Sequence, residues 1–221
     1  MLINLYITDC NSGADAGRVY EVIKDYYKKH KMDITIEDVK DLDLGEGMDQ
    51  TQRETFVACW NTLGQMGLSK EQIIAVMANI YAESRFSATN AQDSYGYWDL
   101  YDDYKFEIND GVGYGICQWT EESRKTELEN FANINGGSVY DLETQLNYFQ
   151  YEMEEGICKN SWVNFLSQNG RNDAVEIFWN SIEISWESLQ GKGTPIYEEE
   201  LEDRIGFADN IAEWYETISN N

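Results

Sequence analysis

Between Ser69 and Ser84 the chain offers almost no face to water. Ser69 is followed three residues later by Gln72, the spacing of a capping box, so a helix starts there. Ile73, Ile74, Met77, Ala78, Ile80 and Tyr81 then place apolar groups on nearly every side of it. A helix with so little polar surface has to be the central one of its domain, wrapped by others. The remaining sequence must therefore supply a shell, and 221 residues suffice for one such domain with a small appendage.

Helical periodicity supplies that shell. Phe56, Trp60 and Leu63 form a stripe that ends at Gly64–Gly67. Further helices are predicted at about 120–134, 141–155, 160–168, 172–182 and 198–217. Leu142, Leu146, Phe149 and Met153 share one face of the second of these, and Ile205, Ala208, Ile211, Ala212 and Tyr215 mark the last. Trp60, Trp162, Trp179, Trp186 and Trp214 read as core. Residues 2–8 and Ile34–Ile36 read as short strands and 15–30 as a helix, while 41–50 (DLDLGEGMDQ) reads as an acidic exposed loop or linker. The division expected is a small unit over 1–48, of β-α-β type, and a main domain over 49–221. Residues 84–113 interleave Ser, Asn, Asp and Gly with aromatics, which predicts a long loop or a small β insertion.

Forty-one acidic against sixteen basic side chains give a net charge of -25. That charge excludes a nonspecific grip on nucleic acid and adsorption to anionic lipid. With His30 as the one histidine, an H-E-x-x-H zinc site is impossible. Cys10, Cys59, Cys117 and Cys158 lack zinc-knuckle spacing, so free, mostly buried thiols are expected, with no metal and no cofactor. A Cys-His nucleophile would have to join His30 to one of these, with Cys10 the nearest in sequence. No apolar stretch is long enough for a transmembrane helix, and residues 1–10 lack the pattern of a signal peptide. Synthesis in the cytoplasm is the expectation.

Three features carry chemistry. Glu83 lies at the end of the apolar helix, with Ile80 and Asn79 three and four residues back. Partial burial there would raise its pKa and make it a proton donor, although it also reads as an acid pointing at water. Gly113-Tyr114-Gly115 suits a chain pressed close against something, and Gln118 and Trp119 offer an amide and an aromatic face that suit a sugar. The same run equally fits a tight turn before a helix capped by Thr120. Between these two lie Asp93, Asp99, Asp102, Asp103, Glu107 and Asp110, candidates for the second acid of a glycosidase.

The segments WNTLGQMGLSKEQIIAVMANIYAESRF (60–86), NDGVGYGICQWTEESRKTELENFA (109–132) and DLETQLNYFQYEM (141–153) together resemble the phage tail lysozyme family. The likeness extends over about 54–217. It rests on a hydrophobic helix ending Ala-Glu-Ser, followed by G-Y-G-x-x-Q-W-T and Arg124. Cys117 departs from the smaller residue usual at its place, and the proline usual after the Glu-Ser pair is absent.

The resemblance implies a mainly α, lysozyme-like α+β fold, with its insertion between the catalytic helix and the Gly-Tyr-Gly motif. It implies a muramidase acting on bacterial peptidoglycan, with Glu83 as general acid and Asp110 or Asp93 activating water. A lytic transglycosylase or a non-catalytic wall-binding tail protein are the alternatives. Gly113, Tyr114, Gly115, Gln118, Trp119, Trp98 and Tyr95 are the expected glycan contacts. Other virion components are the further partners expected, and action at the wall would follow host lysis or delivery on the virion. Since cell walls are anionic too, like charge slows encounter: activity on purified walls is expected to rise with salt to roughly 0.1–0.2 M and then level. Turbidity clearance against ionic strength checks this, and a steady fall from the lowest salt would contradict it.

Overall fold

A computed structural model of the protein describes residues 33–44, 47–92 and 104–219. In chain order the helices are α1 (Gln50–Gln65), α2 (Lys70–Ser84), α3 (Glu122–Asn135), α4 (Leu142–Glu154), α5 (Lys159–Leu166), α6 (Arg171–Phe178), α7 (Trp186–Leu189) and α8 (Pro195–Ser219). A π-helical turn, Trp179–Glu183, continues α6. The elements expected at 2–8 and 15–30, together with Cys10 and His30, lie outside the described residues.

α2 is the axis of the fold. Its capping box forms as the sequence predicts: Gln72 N–H donates to Ser69 Oγ, and Ser69 N–H donates to Gln72 Oε1. Every residue from Ile73 to Tyr81 is buried. Each large apolar side chain among them contributes roughly 1.5–3 kcal/mol relative to exposure. α1, α6 and α8 pack directly against this helix, and α4, α5 and α7 complete the shell. Phe56 and Trp60 of α1 meet Trp214 of α8 edge to face, and Trp162 and Trp179 are also buried.

The insertion differs from expectation. No β-strand occurs among the described residues, and the fold is mainly α rather than α+β. Extended pairing ahead of α3 is limited to single bridges, Ala91 with Tyr114 and Tyr114 with Trp119. Tyr114 and Trp119 exchange both backbone hydrogen bonds, at 3.2 and 3.0 Å. The chain cannot prolong that ladder, because Gly115 (φ 79°) and Gln118 (φ 45°) leave the extended region at the next pair. Thr120 does not cap α3 either; its hydroxyl donates to the Gln118 carbonyl, and Glu121 is the N-cap residue.

Ile34–Ile36 is likewise not a strand, since successive i to i+3 hydrogen bonds coil residues 35–42 into turns. The acidic stretch after it is anchored rather than free: Leu42, Leu44 and Met48 are buried in the core. Tyr81 OH donates to the Leu44 carbonyl, and Trp214 Nε1 donates to that of Asp38.

A buried ion pair ties α3 to α4. Arg124 makes a two-pronged contact with Glu152, at 2.6 and 2.8 Å, and Glu152 is fully buried. Trp119 Nε1 donates to the same carboxylate. Removing one partner of such a pair leaves a charge uncompensated in the interior. Glu152→Ala is expected to lower unfolding free energy by about 3–5 kcal/mol, read from urea titration; a loss below 1 kcal/mol would contradict this account.

Candidate active site

Glu83 occupies the last turn of α2, one turn beyond Asn79 on the same face. The helix stops abruptly after it, because Arg85 and Phe86 both take positive φ (52° and 59°). That turn leaves the Glu83 side chain 15% exposed at the floor of a cleft of about 530 Å3. Gln92, Gln118, Glu121, Ser161, Glu183, Glu187 and Glu200 are among the residues lining it.

Arg204 of α8 organises the floor. Its Nη2 donates to Glu83 Oε1 at 2.6 Å and its Nη1 to Glu183 Oε2 at 2.9 Å. Nη1 also reaches Asn79 Oδ1, and Nε reaches Glu200 Oε1 at 3.0 Å. The guanidinium lies 5.2 Å from the centre of the Trp179 ring. One buried cation thus faces three acids, too little charge to stabilise all of them ionised. Burial, followed by the negative charge of Glu83, holds the Glu183 carboxyl well above the usual range. Burial raises that of Glu200 as well, against the opposing pull of Arg204. Glu183 and Glu83 are held on the two terminal nitrogens of one guanidinium, at 2.9 and 2.6 Å.

Sequence reasoning missed Glu183. It sits on the π-helical turn, closed by a bond of 2.9 Å from Ile184 N–H to the Trp179 carbonyl. Arg124 Nη1 braces that turn through the Ile182 carbonyl. The available signal was one acid flanked by two isoleucines, Ile182 and Ile184, a few residues after Phe178 and Trp179. Helical periodicity could not place it, because a π turn shifts the register.

The remaining candidates divide. Gln118 is buried on the cleft wall, its Nε2 donating to the Asn90 and Gly115 carbonyls, while its Oε1 has no partner. The two glycines make room for side chains of the protein itself. A Cβ at Gly115 would stand 2.6 Å from Gln145 Oε1, and one at Gly113 2.9 Å from Gln118 Oε1. Tyr114 is buried against Tyr104, Phe106 and Tyr140. Trp119 is fully buried with its N–H on Glu152, so it packs the interior behind the cleft. Asp93, Tyr95 and Trp98 lie outside the described residues.

Asp110 is not part of the cleft lining. Its carboxylate accepts from Lys125 Nζ at 2.7 Å, from Val112 N–H at 2.9 Å and from Tyr104 OH at 2.5 Å. Burial pushes the carboxyl up, but these three donors outweigh it and hold it below the usual range. Cys117 and Cys158 do line the cleft, yet burial pushes Cys158 up to about 11 and Cys117 well above the usual thiol range. Neither offers a thiolate at neutral pH. Among the described residues no cluster of His, Cys, Asp and Glu could hold a metal ion, and no helix is long and apolar enough to cross a membrane.

The central helix of a helical body thus brings a glutamate to an acid-lined groove. Residues 54–215 match the phage tail lysozyme family, most of the chain, and the protein belongs to that family. Membership supports an enzymatic, peptidoglycan-hydrolysing activity in general and a phage tail context. No curated protein and no solved structure matches the chain.

The Asp110 carboxyl is held low in the folded state, so its share of stability is present above the unfolded value, near 3.9, and lost as pH falls through the folded one. Asp110→Asn should therefore lower Tm at pH 7, where fully buried Lys125 loses its counter-charge, and flatten the decline of Tm in acid. Melting curves from pH 7 to about pH 2 check both; an unchanged Tm at pH 7 would refute the pairing argument.

Proposed function

We propose that the protein is a muramidase that cleaves the β-1,4 bond between N-acetylmuramic acid and N-acetylglucosamine, with Glu83 as general acid. The observation that carries this reading is the place of Glu83: a part-exposed carboxyl ending a buried helix, at the floor of a groove shared with Gln118. Burial of its surroundings keeps bulk water from competing for the proton. Glu83 gives its proton to the glycosidic oxygen as the sugar distorts toward an oxocarbenium ion. Gln118 forms part of the cleft wall, fixed by its bonds to the Asn90 and Gly115 carbonyls. Arg204, fixed by Asn79 and Glu200, then stabilises the carboxylate that forms on Glu83.

A hydrolase also needs a group to activate water. With its oxygens engaged by Lys125, Val112 and Tyr104, Asp110 is suited to fixing the loop before Gly113, which leaves Asp93 or a cleft carboxylate for the water. That engagement also favours a second reading. A lytic transglycosylase needs only one acid, because the muramic C6 hydroxyl replaces water and closes a 1,6-anhydro ring.

Glu83→Gln is expected to cut turbidity clearance of purified walls by at least about a hundredfold while wall binding and Tm persist. Mass analysis of the released muropeptides separates the two chemistries, since the anhydro product is lighter by one water. Full clearance by the variant would refute the assignment of Glu83. Wall binding by a wild-type protein that releases no muropeptide would identify a non-catalytic tail component instead.

A further inference from the structure

Packing alone does not call for a carboxyl at Glu183. Its side chain is 3% exposed and flanked by Ile182 and Ile184, where another apolar side chain would pack without a desolvation cost. One oxygen, Oε2, accepts from Arg204. The other, Oε1, is buried with no donor at all. An ionised carboxylate left in that state would be strongly unfavourable, whereas a protonated one makes Oε1 a donor, and Glu83, held on the same guanidinium, is the neighbouring acceptor. The π-helical turn that carries the residue needs bracing from Arg124 and from Trp179 Nε1, which donates to Ser185 Oγ.

We propose that Glu183 is a positioning residue for Glu83: it holds one proton in hydrogen-bonded contact with the Glu83 carboxyl and returns it there after each donation. This role rests on Glu83 being the general acid. The cycle starts with a proton on each carboxyl: Glu83 protonates the glycosidic oxygen as the C–O bond breaks, leaving Glu83 anionic. The Glu183 proton crosses the hydrogen bond to Glu83, and the charge comes to rest on Glu183 beside Arg204. Water then adds hydroxide to the anomeric carbon, and its remaining proton goes back to the pair. One water is consumed per bond, and no net proton is gained or lost.

The groups facing Glu183 are consistent with such a store. Glu83 approaches from α2, Arg204 from α8, Arg124 from α3, and the Cys117 thiol from the loop before α3. Both acids on Arg204 beyond Glu83, namely Glu183 and Glu200, are raised by burial, so the floor retains protons where isolated carboxyls have lost them.

Glu183→Gln tests the role, because the amide keeps the shape and a donor toward Glu83 but cannot release or regain a proton in the cycle. KM on soluble glycan fragments is expected to stay within about twofold while kcat falls roughly ten- to a hundredfold. The alkaline limb of the kcat profile should move to lower pH, and Glu183→Asp should recover part of kcat. A kcat loss with an unmoved pH profile, or no loss at all, overturns the proposal while Glu83 keeps its role, provided that Glu83→Gln is inactive. If Glu83→Gln itself clears walls, the underlying assignment fails. Carboxyl-13C glutamate NMR of the unaltered protein gives a readout that needs no variant. At least one glutamate carboxyl should titrate well above the ordinary value near 4.3, and the absence of any such resonance also overturns the proposal.

Discussion

Arg204 reaches into the interior from the C-terminal helix and is met by carboxylates from α2, from the π-helical turn and from its own helix. Without that cation, three acids would face one another in a space from which water is largely excluded, and at least one would have to leave. With it, the end of α2, the wall of the cleft and the long closing helix are fixed together. The cation is itself oriented by Asn79, whose amide N–H groups donate to the Ala75 and Val175 carbonyls. Structural support and candidate chemistry thus share one guanidinium.

A second network does the same on the far side of the groove. Arg124 and Glu152 join α3 to α4, receive the Trp119 indole, and reach the π-helical turn through the Ile182 carbonyl. Both arginines therefore hold the segment that carries Glu183, at the adjacent residues Ile182 and Glu183. Beyond them, Lys125 gathers Asp110, Tyr104 and the Val112 carbonyl under the Gly-Tyr-Gly loop. Each of these cations is buried, so a chain with a large acidic excess has placed three of its few positive charges where they bind elements together.

What could be read from the sequence was what depends on local pattern. The capping box of Ser69 and Gln72, the largely apolar α2 and the helices after Trp119 follow from spacing alone, and the boundaries fall within a few residues. The Ala-Glu-Ser and G-Y-G-x-x-Q-W-T motifs identified the family and brought Glu83 and Gln118 to one groove. The failures have causes that residue spacing does not carry. Alternation near Ile34 reads as a strand, but the Asp38 side chain accepts from Thr35 N–H and stabilises a turn instead. The glycines beside Tyr114 read as room for a ligand, whereas the space is filled by Gln145 and Gln118. Trp119 reads as a sugar platform, but its indole N–H is bound to a carboxylate 33 residues away in sequence. Glu183 was invisible because its position depends on one helical turn being wider than the pattern assumes.

That wider turn makes the groove sensitive to length as well as to composition. A π turn holds one residue more than the α-helix it interrupts. Removing one residue between Trp179 and Glu183 would turn the closure from Ile184 N–H to the Trp179 carbonyl into an ordinary α turn with the same two ends. The length of that turn can therefore change by one residue while α6 upstream and the chain that follows keep their register. It is the place where the floor of the groove can be altered without disturbing the scaffold.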